Sequence, residues 1–468
     1  MIDAILGLHI NIEKLGLLSH NPFLGSTLVD MYSKCGCMVK AEHVFNGLHV
    51  QNVVSWTALI SGNAEYGYAH KALKCFQQMQ LEGISPNEVT FVGVLKACSN
   101  EEVMHKGQEI HVKIDRMGLL GNNTILGSTL VDMYAKHGFL EKAQKTFDKL
   151  PFRDVIVWTS LITGYSENGK CEQALEYLEL MKLDGISLDV VGFVCGLKAC
   201  GNAGYKNKGQ EMHAGIVKKG LETFLVMAST LVDMYAKSGL LSEAREVFNK
   251  IQTHDVVSWT ALIGGYVEHG TNSEEALDCL EEMQCQGLSP DAGTLVSCLK
   301  ACGSIKSVEN GQKLHSNATK MGFERDIFVG TSLVDMYCKC RFLAEAHSVV
   351  YMLPIQNTVL WSALITGYAE HGSDRCALEL FEKMCNEDLS PDKDIYLFVL
   401  KACGSAHALE QGRCIHDHVA LRSFDLDVTV GNALIEMYNT CGNLEESLHV
   451  FGTMLDKDVS SWATIISG

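Results

Sequence analysis

Leu28-Val29-Asp30-Met31-Tyr32 returns at 130–134, 231–235 and 333–337, and as Leu-Ile-Glu-Met-Tyr at 434–438. Two other signatures keep the same step. Leu-Lys-Ala-Cys stands at 95–98, 197–200, 299–302 and 400–403, and the five tryptophans fall at 56, 158, 259, 361 and 462. Three unrelated strings sharing a period of 101 or 102 residues mark an internal repeat, which decides the architecture before any single residue does.

Each period holds three similar units, the first set being 53–87, 88–123 and 124–154. Each unit reads as two amphipathic helices. Trp56, Leu59 and Ile60 share one helical face, as do Ala72, Phe76 and Met79, with a turn at Gly67 and a stop at Gly83-Ile84-Ser85-Pro86. Neither helix can bury its apolar stripe alone, so the hairpins must stack, giving an all-α solenoid with the first helix of every unit along its inner side. Thirteen complete units are expected from 22 to 458, with a partial unit at 1–21 and a truncated one at 459–468. Neither end reads as a polar cap, so the sequence is expected to be a fragment.

Composition agrees with long helices: 47% of the 468 residues are hydrophobic and only 6 are Pro. No run of 18 apolar residues offers a membrane span. The 18 Cys sit in helical contexts rather than a short, loop-rich framework, so they read as reduced thiols. Cys98/His111, Cys200/His213, Cys302/His315 and Cys403/His416 repeat one 13-residue separation. Two ligands do not make a structural zinc site, and recurrence once per period points to packing. No metal or other cofactor is expected. The tryptophans and tyrosines keep helical phase with Leu and Ile, which makes them core residues before stacking platforms. Neither a Gly-x-Ser-x-Gly elbow nor a phosphate-binding loop occurs, so the chain is not expected to be an enzyme.

The unit types resemble the P, L and S motifs of the plant pentatricopeptide repeat family, PLS subclass. Val53-Val54-Ser55-Trp56-Thr57-Ala58-Leu59-Ile60-Ser61-Gly62 is similar to the opening of a P motif. Phe91 to Cys98 with Gly107-Gln108-Glu109-Ile110-His111 is similar to an L motif, and Gly127 to Lys136 to an S motif. The units then run in S-P-L order. The resemblance implies a right-handed superhelix that binds single-stranded RNA, one base per unit, read by the fifth and last residues. Ser26 with Asn52, Thr57 with Asn87, and Thr331 with Asn357 imply adenine. Ser128 with Asp154, Thr159 with Asp189, Ser229 with Asp255, Thr260 with Asp291, and Ser362 with Asp392 imply guanine. Asn432 with Asp458 implies uracil. The second residues (Phe23, Val54, Ile125, Ile156, Val226, Val257, Phe328, Val359) would sandwich the bases. L units carry Val92, Val194, Val296 and Leu397 at the fifth place, which make no hydrogen bond, and read as spacers.

By the same resemblance the function would be organellar RNA processing, choosing cytidines for conversion to uridine in mitochondria or plastids. The E and deaminase-like domains of many relatives are not found: His-x-Glu and Pro-Cys-x-x-Cys do not occur. A deaminase or accessory protein would act in trans or from a downstream extension. No transit peptide is visible in the sequence. The net charge of −18 opposes general attraction to phosphates, leaving base edges and a few lysines such as Lys34, Lys136 and Lys237. That charge equally fits a rival reading, a protein-docking scaffold of helical repeats. Three local departures stand out: Arg341 where sister units have Gly36, Gly138, Gly239 and Gly442; Asn63 for Tyr; Leu188 for Pro.

Overall fold

The computed structural model describes residues 2–15, 22–99, 103–121, 123–270, 272–354, 356–387, 389–422 and 424–467. Residues 16–21, the end of the expected leading partial unit, lie outside them. Among the described residues there are 28 α-helices and no strand. They fall into two compact halves, Met1–Ser238 and Gly239–Gly468. In each half the helices alternate, as in Val53–Glu65 then Ala69–Leu81, or Thr358–Glu370 then Asp374–Asn386. Within each half, first helices of successive hairpins lie side by side, and second helices pack on their own first helix and, in most hairpins, on the next. The expected stack of helical hairpins is what forms.

The predicted faces are the buried ones. Trp56, Leu59 and Ile60 are at most 3% exposed, and Ala72, Phe76 and Met79 at most 5%. Trp158, Trp259 and Trp361 are also buried, while Trp462 remains 54% exposed. Trp56, Trp158 and Trp259 each meet a Phe of the preceding second helix edge-on, at centroid distances of 4.5, 4.7 and 4.5 Å. These rings are core, as their helical phase indicates.

The joint between an L-type and an S-type hairpin has two further contacts. The histidine of Gly-x-x-x-His meets the tyrosine of the Leu-Val-Asp-Met-Tyr or Leu-Ile-Glu-Met-Tyr string: His111 Nδ1 lies 2.8 Å from Tyr134 Oη, and His213–Tyr235, His315–Tyr337 and His416–Tyr438 repeat it at 2.8, 2.9 and 3.0 Å. His9 and Tyr32 do the same at 3.0 Å. The glycine of the same motif makes room for the methionine: a Cβ on Gly107, Gly209, Gly311 or Gly412 would overlap the Sδ of Met133, Met234, Met336 or Met437. At each repeat of the Cys–His spacing the histidine's hydrogen-bond partner is a tyrosine, and among the described residues no group of three or more His, Cys, Asp or Glu is placed to hold a metal ion. Burial pushes the Cys98, Cys200 and Cys302 thiols up to about 12, 11 and 12, which keeps them protonated and unreactive.

The substitutions flagged in the sequence have distinct outcomes. Gly138 turns the chain at φ 73°, closed by Phe139 N donating to Tyr134 O at 3.0 Å. Arg341 makes the same turn at φ 66°, with Phe342 N donating to Tyr337 O at 2.9 Å, so a Cβ is held in the left-handed region. Asn63 is fully buried; its Nδ2 donates to Leu59 O, and its Oδ1 has no partner among the described residues. Leu188 is 6% exposed and takes the buried place that Pro290 and Pro391 hold, its carbonyl accepting from Lys219 Nζ at 2.6 Å.

Two outcomes follow from these joints. Arg341→Gly should raise stability by about 1 kcal/mol, read as a higher urea midpoint; an unchanged or lower midpoint contradicts left-handed strain there. Burial lowers the pKa of His111 and of His315 below the usual 6.5. The folded joint thus keeps them neutral, and their stabilisation is complete above pH 6.5 and is lost as pH falls through the lowered values. The acid-side loss of melting temperature should shrink in the His111→Gln, His315→Gln double variant.

Candidate nucleic-acid interface

The last residue of each P and S unit is the N-cap of the next first helix. Asn and Asp side chains suit that place because a short oxygen acceptor reaches the open amides of the first turn. Asn52, Asn87, Asp154, Asp189, Asp255, Asp291, Asn357, Asp392 and Asp458 all do so through Oδ1, each taking a backbone N–H at 2.8–3.0 Å. The other terminal atom is left over. Nδ2 of the three asparagines and Oδ2 of the six aspartates make no hydrogen bond among the described residues. The cap therefore sorts the nine positions chemically: asparagine presents a donor, aspartate an acceptor.

The fifth residues sit deeper. Ser26, Thr57, Ser128, Thr159 and Ser229 are buried, at 3–8% exposure, while Thr260, Thr331, Ser362 and Asn432 are half-buried. Two pairs meet directly: Ser26 Oγ donates to Asn52 Oδ1 at 3.3 Å, and Asn432 Nδ2 to Asp458 Oδ1 at 3.2 Å. The bonds from Ser461 and from Asn432 hold the Asp458 carboxyl below its usual range. Two pairs are joined by a third hydroxyl. Thr57 Oγ1 lies 2.7 Å from Thr90 Oγ1, which donates to Asn87 Oδ1 at 2.8 Å; Thr260, Thr294 and Asp291 repeat this at 2.6 and 2.8 Å. Thr159 and Asp189 approach a common point, the empty Cβ position of Gly192, at 3.6 and 3.3 Å. No side-chain bond links Ser128 to Asp154, Thr331 to Asn357 or Ser362 to Asp392, and these three hydroxyls donate to carbonyls of their own helices. Ser229 likewise donates to Leu225 O, and Asp255 belongs to the other half of the chain.

In eight first helices the second residue is apolar and exposed. Phe23 is 78% exposed, Val54 53%, Ile125 59%, Ile156 55%, Val226 65%, Val257 63%, Phe328 73% and Val359 60%. These apolar side chains, recurring at the second place of eight first helices, keep more than half of their surface exposed. The four half-buried L-type residues, Val92, Val194, Val296 and Leu397, add no polar atom.

Sequence reading missed two features. Thr90 and Thr294, third in their units, are the bridging hydroxyls; the spacing Asn87-x-x-Thr90 and Asp291-x-x-Thr294 is a capping signal that marks them. The lysines singled out as phosphate contacts are already engaged: Lys34 with Asp30 at 2.7 Å, Lys136 with Asp132 at 2.8 Å and Lys237 with Asp233 at 2.9 Å.

Comparison with known proteins bears on the same elements. The PPR repeat family model matches residues 51–100 and 254–304; the PPR repeat model matches 26–53, 128–155, 156–186, 226–256 and 432–459; the pentatricopeptide repeat domain model matches 356–406. Two pentatricopeptide repeat-containing proteins of Arabidopsis thaliana, At2g33680 and At4g18520 (chloroplastic), are each 34% identical to it over 95% of this chain, which covers 61% and 72% of them. A third, At1g15510 (chloroplastic), is 30% identical, and this chain spans only 51% of its length. Among solved structures, the pentatricopeptide repeat protein PPR10 in complex with an 18-nt psaJ RNA element superposes with a TM-score of 0.62 at 16% identity, covering 94% of this chain and 75% of that one. The likeness to PPR10 concerns the fold. The sequence matches settle descent: this chain belongs to the pentatricopeptide repeat family.

Proposed function

We propose that the chain binds single-stranded RNA along its first helices, one base at each P and S unit. The observation that carries this is an exposed apolar residue at the second place of eight first helices, six of them (Val54, Ile125, Ile156, Val257, Phe328 and Val359) two places after a capping Asn or Asp. Apolar side chains on successive hairpins leave slots for flat rings, and stacked bases gain about 1–3 kcal/mol on aromatics and less on valine. The atom left over at each cap then supplies choice. Aspartate Oδ2 accepts from the imino N–H of guanine or uracil; asparagine Nδ2 donates to N1 of adenine.

The target is 5′-A-A-n-G-G-n-G-G-n-A-G-n-U-3′, with n opposite L units. The fifth-residue hydroxyls, occupied within the free chain by a helix carbonyl or a neighbouring side chain, would exchange that partner for a base edge on binding. The setting is organellar RNA processing in mitochondria or plastids, with site choice for cytidine-to-uridine conversion and a deaminase supplied by another chain or segment. The −18 charge and the Asp-paired lysines favour one rival, a protein-docking scaffold.

Binding of the 13-nucleotide target should exceed that of a U-rich scramble by at least about tenfold at moderate salt. Equal affinity for both removes the base assignment, and no binding even at low salt favours the scaffold. Asp189→Asn keeps the cap but swaps acceptor for donor, so preference at the fifth nucleotide should move from G to A.

A further inference from the structure

The four L-type units differ from one another at the trailing position in a way their shared fifth residues conceal. Asn123 caps helix Thr124–Lys136 through Oδ1 at 2.9 Å, and its Nδ2 is engaged by the carboxylate of Glu88, the first residue of the same unit. Asp427 caps helix Val428–Thr440 through Oδ1 (Thr429 N at 2.9 Å), and its Oδ2 is held at 3.3 Å by Lys393, again the first residue of its unit. Phe224 brings no polar atom, and the helix after it has no side-chain cap. In these three units nothing is left over.

The unit 292–326 is the exception. It opens with Ala292, which cannot close such a clasp. Asp326 Oδ1 accepts from Phe328 N at 2.9 Å and Val329 N at 3.0 Å, and Oδ2 makes no hydrogen bond or ion pair among the described residues. The carboxylate is half-buried, and Phe328, two residues on, is 73% exposed. Asp326 shares its backbone turn with Asp427 (ψ 125° at both), but like the P and S caps it caps through one oxygen and keeps the other, with an exposed aromatic ring two residues on.

We infer that Asp326, alone among the trailing residues of the L-type units, reads a nucleobase: one carrying an imino N–H, uracil or guanine, stacked against Phe328. This rests on the RNA reading above and assigns the ninth nucleotide of the target, so that the sequence becomes 5′-A-A-n-G-G-n-G-G-(U/G)-A-G-n-U-3′. A carboxylate oxygen is an acceptor and repels N1 of adenine and N3 of cytosine. Val296 at the fifth place offers no hydrogen bond, so the choice falls to the carboxylate.

The experiment uses the full chain and four 13-nucleotide RNAs that differ only at the ninth position. U and G should bind about tenfold tighter than A and C, the range of a hydrogen bond to a charged group. Asp326→Asn, which remains a competent cap, should reverse that order. At the twelfth position the four bases should bind alike, and Asp427→Asn should not change this, because Lys393 occupies the carboxylate. Asp189→Asn, read at the fifth position, is the internal control. If that control switches while the ninth position stays indifferent, the Asp326 assignment is overturned and the P and S reading stands. If neither position responds, the RNA reading fails and takes this inference with it. Equal discrimination at the ninth and twelfth positions would show that the first-residue clasp does not decide.

Discussion

The joint where a glycine admits a methionine sulfur and a histidine ring meets a tyrosine hydroxyl sets the register of the hairpins on which the rest depends. Solenoid hairpins stack through broad apolar faces, and such faces slide at little cost unless something indexes them. Gly209 under Met234 does so sterically, since a Cβ there would collide. His213 and Tyr235 do so directionally, since a hydrogen bond fails within a fraction of an ångström. One constraint fixes depth and the other fixes rotation. Both recur once per three hairpins, which matches the three-unit period of the sequence.

That indexing matters because the candidate site is a property of spacing. Each cap lies at the N-terminus of one first helix, while its fifth-residue partner lies on the first helix of the hairpin before it. Thr57 reaches Thr90 and Asn87 only because successive first helices lie side by side in register. A cap has to be present anyway, since unsatisfied amides at a buried helix start are costly. Choosing Asn or Asp over Ser for the task adds a second polar atom. Stability and selectivity therefore draw on one side chain, and exchange between Asn and Asp alters the outward atom while leaving the inward bond in place.

Much of this was legible in the residues. The hairpins, the buried tryptophan face and the strained turn at Arg341 all follow from periodicity and from which residue replaces glycine. The positive φ at Lys306 (56°) and His407 (52°) was not flagged, although Gly204 holds the sister position, because only one of the aligned residues is glycine. The pairing of His111 with Tyr134 escaped because the partner lies 23 residues on, across a turn and a short 3-10 segment; the nearer cysteine was the more obvious neighbour in sequence. Sequence spacing could nominate Asn and Asp as readers but could not say which of them were already engaged. Only the side-chain contacts separate Asp326 from Asp427, two residues that the repeat aligns.

The charge balance fits this division of labour. Exposed i,i+4 pairs such as Asp132–Lys136 add little to stability, a few tenths of a kcal/mol. Their larger effect is on the field: they cancel lysine charge on the first helices, in a chain with 56 acidic against 38 basic side chains. A strongly basic groove would hold any RNA, and selectivity is the ratio of matched to unmatched binding. Removing the sequence-independent attraction lowers the unmatched term more than the matched one, since stacking and base-edge hydrogen bonds are unaffected. On the RNA reading, the acidic balance is then a source of discrimination, obtained at the cost of absolute affinity, and the burden of binding moves onto the exposed apolar row and the leftover cap atoms.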